Sequence, residues 1–191
     1  MRAIVFKNRG ALLAAPALLL VAFGKPSTAS MLLGIPLALA GELLRCWAVG
    51  YSGTTTRGST VTAPALVTAG PYAYVRNPLY VGNFITALGF ALAFTGRNEP
   101  FERLGLIVVS LGTMLAVYSV IVPHEEEYLR ATFGARYDEY AARVPRAFPL
   151  RAPAAPQQGT YDASVIASAE SRTFVTFALV LAALGLKALF S

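Results

Sequence analysis

Two stretches of this chain, Asn77 to Gly96 and Leu104 to Val122, carry no charged side chain at all. Each matches the roughly 20 apolar residues that a helix needs to cross a bilayer. Inside lipid every backbone N–H and C=O must find its partner within the structure, which makes a helix the natural form of such a span. Three further apolar runs, at 10–24, 31–51 and 173–190, join the spans expected at 78–96 and 104–122. The expected fold is therefore an all-α integral membrane protein: about five transmembrane helices in a single membrane domain over residues 1–191, plus a cytoplasmic interfacial amphipathic helix. Composition agrees, with 55% hydrophobic and 14% charged residues, against about 25% charged in a soluble domain. The first run follows Arg2, Lys7 and Arg9 and ends at Ser27-Thr28-Ala29, an outline shared with cleavable signal peptides. Only a few residues separate it from the second run, so we expect a retained helix in a tight helical hairpin.

The formal net charge of +6 is sorted by segment. Arg2, Lys7 and Arg9 precede the first span. Arg57 and Arg76 lie between the second and third, and Arg130, Arg136, Arg143, Arg146, Arg151 and Arg172 between the fourth and fifth. If five spans alternate, these groups share one side, leaving Lys25, Arg97, Arg103 and Lys187 on the other. That bias places the N-terminus in the cytoplasm. No basic run interleaved with aromatics points to nucleic acid. Cys46 and His124 are the single cysteine and histidine, too few for a thiolate or imidazole metal site, so no metal ligand is expected.

Several local patterns carry more information. Glu42 and Arg45 stand three apart on the second span and share a face. They read as a neutralised pair snorkelling near the cytoplasmic end, with Trp47 and Tyr51 as interfacial anchors, in preference to an Arg45 that faces the interior and meets a ligand carboxylate or phosphate. Residues 52–62 read as a loop, and 63–77, interrupted by Pro64, Gly70 and Pro71, as an interfacial or re-entrant segment. Pro78 suits the first position of a helix and Asn77 its N-cap. After Pro123 the chain changes character. Leu129, Phe133, Tyr137, Tyr140 and Val144 recur at helical spacing, so 125–144 is expected to be the amphipathic helix, with Gly134 as a break point. Its phase turns Glu125 and Glu126 toward the bundle and Glu127 away. Residues 150–165, rich in Pro, Ala and Gln, read as a linker.

The run Leu66-Val-Thr-x-Gly-Pro-Tyr-x-Tyr-Val-Arg-Asn-Pro-x-Tyr-Val-Gly82 resembles the cofactor motif of the isoprenylcysteine carboxyl methyltransferase family. The run Glu125-Glu-x-x-Leu-x-x-x-Phe-Gly-x-x-Tyr-x-x-Tyr-x-x-x-Val-Pro-Arg146 resembles that family's C-terminal signature, and phospholipid methyltransferases share the outline. The resemblance covers about residues 41–149. It implies a membrane-embedded methyltransferase that uses S-adenosyl-L-methionine without a dinucleotide-binding fold, and the chain contains no Gly-x-Gly-x-x-Gly turn. By the same resemblance Leu66, Val67, Tyr72, Asn77, Pro78, Leu79, Tyr80 and Glu125 line the cofactor pocket. Arg76 and Glu126 are the catalytic candidates: Arg76, or the amides at the start of the third span, suits the methionyl carboxylate, and Glu126 or His124 suits the proton that an amine acceptor must lose. The acceptor would be a lipid or lipophilic small molecule, methylated on a carboxylate oxygen or a lipid amine. Two departures stand out: Arg76-Asn77-Pro78 replaces an Arg-His-Pro, and Val122-Pro123-His124 lacks an arginine usual before the paired glutamates. Asparagine does not titrate near neutral pH, so position 77 supplies no general base. A membrane reductase using a reduced nicotinamide cofactor, and a non-catalytic membrane scaffold, are the alternatives.

Overall fold

The computed structural model describes residues 2–53, 63–149, 152–153 and 156–190, with side chains from residue 8 onward. Six α-helices follow in order among them: α1 (Arg2–Phe23), α2 (Thr28–Ser52), α3 (Pro78–Phe94), α4 (Pro100–Phe133), α5 (Ala135–Arg143) and α6 (Ser164–Leu189), with no strand. The Arg57-bearing loop at 54–62 and part of the expected linker, at 150–151 and 154–155, lie outside the described residues. By length and composition α2, α4 and α6 can each cross a membrane. Two shorter apolar helices, Asn8–Phe23 within α1 and Pro78–Phe94, accompany them. The 17 residues of α3 rise only about 26 Å at 1.5 Å each, just short of a ~30 Å hydrocarbon core.

Glycines set the centre of the bundle. Gly34 and Gly41 on α2 face Gly89 and Gly82 on α3, in reverse order, so the two helices run antiparallel with backbones in contact. A Cβ on Gly82 would fall 2.8 Å from the Gly41 carbonyl oxygen and 2.7 Å from Arg45 Cγ. Small residues at such a contact let helices approach where lipid supplies no hydrophobic drive. Thr86 Oγ1 adds a bond to the Ala38 carbonyl, at 3.3 Å. Leu20, Ala38, Phe90, Phe94 and Leu184 join α1, α2, α3 and α6 in one apolar core, while Met114, Val117, Tyr118 and Ile121 form a second on α4. The α1–α2 turn is fixed by Ser27, whose side chain accepts from Ser30 N in a capping box.

Several expectations change at element boundaries. The sequence predicts a helix end near Pro123, but α4 runs through it to Phe133. A proline inside a helix forfeits one i→i−4 bond, and here the bonds on either side carry the helix on. The break falls instead at Gly134, whose φ of +55° ends α4 and starts α5, so residues 125–144 are one helix end and a separate short helix. Asn77 precedes α3 but makes no side-chain cap bond; its amide is committed elsewhere. The 63–77 segment holds one 3-10 turn, Gly70–Ala73, in otherwise irregular backbone. Its polar groups are met by protein: Thr68 N and Ala69 N donate to Gln158 O, Arg76 N to Pro145 O and Asn77 N to Arg146 O.

Candidate functional site

The start of α3 is locked to α4 and α5 through one carboxylate. Glu126, 7% exposed, accepts from Arg76 Nε at 3.1 Å, Asn77 Nδ2 at 3.0 Å and Arg146 Nη2 at 2.6 Å. Arg146 Nε also donates to it, and Arg76 Nη2 reaches it at 3.4 Å. Arg76 Nη1 donates to the carbonyls of Ala141 and Val144, at 2.9 and 2.6 Å. Glu126 thus faces two arginines and an amide, and Arg76 spends its fork on one carboxylate and two backbone oxygens. Bidentate, charge-assisted contacts of this kind are among the strongest a side chain makes. They hold the Asn77–Pro78 corner against the turn that follows α5.

One residue earlier on α4 the environment is different. Glu125 lines a cavity of about 950 Å³ together with Tyr80, and the Tyr80 hydroxyl donates to Glu125 Oε1 at 2.6 Å. The Tyr80 and Tyr118 rings lie 4.6 Å apart beside it. Leu66, Val67, Tyr72, Arg76, Asn77, Pro78 and Leu79 line the same cavity. Burial pushes the Tyr72 phenol up to about 12, against a lowering contact from Ser52, so it is neutral at any physiological pH. The volume lies within the ~300–1,000 Å³ usual for small-molecule sites. An aromatic pair, an acidic oxygen and a helix start here converge on one space.

A second polar group lines the cavity from α2, α3 and α6. Arg45 Nη2 donates to Glu170 Oε2 at 2.7 Å and to Thr173 Oγ1 at 3.4 Å, and Arg45 Nη1 donates to Asn83 Oδ1. Glu42 stands 3.5 Å from Arg45 Nε. Arg45 is 7% and Glu170 1% exposed. The expectation of a snorkelling Glu42–Arg45 pair is therefore corrected: Arg45 points inward, because a carboxylate on α6 waits there. Nothing in the local sequence of α6 announces Glu170, which is a single acidic residue in an apolar helix.

A family model described as phospholipid methyltransferase matches residues 29–136, more than half of the chain. The chain belongs to the phospholipid methyltransferase family. Among curated relatives of this family member, a protein-S-isoprenylcysteine O-methyltransferase of Schizosaccharomyces pombe is 41% identical over 88 residues, 44% of this chain and 33% of that protein. Protein-S-isoprenylcysteine O-methyltransferase B of Arabidopsis thaliana is 30% identical over 121 residues, 61% of this chain and 58% of that protein. A nickel-cobalt-cadmium resistance protein of Alcaligenes xylosoxydans xylosoxydans is 31% identical over 118 residues, 62% of this chain and 47% of that protein. The chain thus spans between one third and three fifths of the length of these relatives. No solved structure matches it.

Of the ten site residues named from sequence in this methyltransferase-family chain, Glu126 stands outside the cavity wall and the other nine line it. The expected phase of the glutamates fits the geometry: Glu125 and Glu126 turn inward and Glu127 is exposed. Beyond the motifs, the cavity takes in Arg45, Asn83 and Glu170, and the apolar faces of α1 and α6.

Proposed function

We propose that the protein is an S-adenosyl-L-methionine-dependent methyltransferase acting on a lipophilic acceptor, with its site on the cytoplasmic side of the membrane. The observation that carries this reading is the Tyr80–Glu125 contact on the wall of a cavity built from the family's motif residues. The donor set fits the cofactor. Glu125 offers a carboxylate to a cationic group, and the faces of Tyr72 and Tyr80 attract a sulfonium as aromatic rings attract other cations. Leu66, Val67, Pro78 and Leu79 supply apolar walls for the rest. When bound, the cofactor supplies an electrophilic methyl group, which an acceptor oxygen or nitrogen takes as the carbon–sulfur bond breaks and a neutral thioether leaves.

The chain's own contribution is positioning and exclusion of water. Tyr80 orients the Glu125 carboxylate through its hydroxyl bond. Asn77 and Arg76 hold the α3 start in place by their bonds to Glu126. We accordingly assign Arg76 and Glu126 to positioning rather than to contact with reacting atoms, since both are saturated by partners of this chain. No side chain at position 77 removes a proton, and the Tyr72 phenol stays protonated. The arrangement therefore suits an acceptor that arrives already nucleophilic, as a carboxylate does. Sidedness rests on the clustering of basic residues: Arg9, Arg76 and Arg172 all line the cavity, which is the end that the positive-inside rule assigns to the cytoplasm.

Purified protein in a non-ionic detergent, titrated separately with S-adenosylmethionine and NADPH, tests the reading. Saturable binding of S-adenosylmethionine and none of NADPH is expected. The reverse preference would support the reductase alternative, and binding of neither would leave a scaffold.

A further inference from the structure

The cavity is larger than its motif-built part, and the remainder is walled by α1 and α6, both outside the family-matched segment 29–136. Leu13, Ala17 and Val21 on α1 line it at four-residue steps. Thr176, Leu179 and Ala183 on α6 line it at steps of three and four. One stripe on each helix makes an apolar slot between them. Its far end is closed: Leu20 and Leu184 are buried in one core, and Lys187 Nζ donates to the carbonyls of Val21 and Ala22, at 2.6 and 2.9 Å. Its near end is basic. Arg9 on α1 and Arg172 on α6 line the cavity there, and so does Arg45, which pairs with Glu170 and Glu42. From Arg9 to Val21 the slot runs twelve residues, about 18 Å along the helix.

We propose that this slot is the acceptor subsite, built for an amphiphile with an anionic head group, and that Arg9 and Arg172 are its specificity-determining residues. Charge fixes the orientation: the head group lies against the two arginines and the hydrocarbon chain points toward the closed Lys187 end. Arg9 also stands within electrostatic reach of Glu125 and Tyr80, so a head group held there lies beside the part of the cavity assigned to the cofactor. Guanidinium groups favour carboxylate and phosphate, whose planar or forked oxygens they bind in pairs. For a carboxylate head, methyl transfer forms an ester and leaves no proton to remove, which agrees with the lack of a base at position 77. The inference rests on the methyl-transfer reading for the role of the ligand, but not for its binding.

Binding is therefore measured directly, on the full chain in a non-ionic detergent, with four probes sharing one sixteen-carbon chain: the carboxylate, the monophosphate, the alcohol and the amine. The carboxylate or the phosphate, whichever is the native chemistry, is expected to bind at least about tenfold tighter than alcohol and amine, a margin of the size expected for one charge-assisted contact. Arg9→Ala and Arg172→Ala should each cut that preference several-fold while Arg9→Lys retains most of it. Ala17→Phe should weaken all four probes alike by filling the slot. S-adenosylmethionine affinity should stay within about threefold in every variant, which separates this result from a failure of the cofactor reading. Equal binding of all four heads, a preference for the amine, or an anion preference that survives both arginine substitutions would overturn the proposal.

Discussion

Replacing Glu126 with Gln removes the charge that two arginines and an asparagine share. Arg76, whose side chain is 13% exposed, is left without its counter-ion in a place where water reaches it poorly. Breaking a buried pair from one side costs about 3–5 kcal/mol. Arg146, at 55% side-chain exposure, recovers hydration and contributes no more than a surface pair, about 0–1 kcal/mol. Glutamine keeps one acceptor oxygen but turns an N–H₂ group toward other donors. The net loss for Glu126→Gln is therefore about 2–4 kcal/mol, and for Arg146→Ala below about 1 kcal/mol. At roughly 2–4 °C per kcal/mol for a chain of this size, Tm should fall by about 5–15 °C in the first variant and by under about 4 °C in the second. Scanning fluorimetry in detergent reads both. Methyl transfer by the folded fraction of Glu126→Gln, below its Tm, should stay within about tenfold of wild type. An unchanged Tm with abolished turnover at saturating cofactor would show that Glu126 touches the reacting atoms, and that its role as a clasp is mistaken.

The pH profile separates the acceptor classes. With a carboxylate acceptor, activity should be nearly flat from about pH 6.5 to 9, because ordinary carboxylates are ionised throughout. The Tyr72 phenol, pushed up to about 12 by burial, remains protonated over that range and adds no step, so Tyr72→Phe should leave the shape unchanged. An amine acceptor would instead give activity that rises with pH as the neutral nucleophile appears. Asn77→His should keep S-adenosylmethionine binding within about tenfold, since a ring N–H can replace the bond to Glu126 while the contact with Arg146 O is lost; complete loss in a folded protein would refute the assigned pocket. Gly82→Ala forces a Cβ against Gly41 O and Arg45 Cγ and should cost about 1–3 kcal/mol. Gly112→Ala, which meets nothing within 4 Å, should be neutral or stabilise by up to about 1 kcal/mol; equal Tm values for the two would mean that α2 and α3 do not pack through their glycines.

What could be read ahead was local in the chain. The uncharged runs located α3 and α4, and helical phase alone put Glu125 and Glu126 inside and Glu127 outside, because three consecutive residues on one helix take fixed directions once its apolar face is known. Tyr72 and the Arg76-Asn77-Pro78 run were placed on the cavity wall by the family resemblance rather than by periodicity. What escaped depends on contacts between distant elements. Arg45 turns inward only because Glu170, 125 positions away, meets it. Asn77 makes no cap because its side chain is turned by the bonds that its N–H₂ group donates to Glu126 and to the Arg146 carbonyl. The slot needs the rotation of α6 against α1, which its single apolar stripe leaves open. Pro123 misled in another way: it signalled a helix end, while α4 continues through it with Ile121, Val122 and Glu126 buried on either side.

On the proposed function, the cavity around Tyr80 and Glu125 binds S-adenosylmethionine. Isothermal titration of wild type, Glu125→Gln and Glu127→Gln with this ligand measures that binding. Loss of one charge-assisted contact, worth roughly 1.5–3 kcal/mol, should weaken binding to Glu125→Gln by about tenfold to a hundredfold. Glu127→Gln, on the exposed face of the same turn, should bind within about twofold of wild type. Wild-type affinity retained in Glu125→Gln, or an equal loss in Glu127→Gln, would rule out Glu125 as a cofactor ligand.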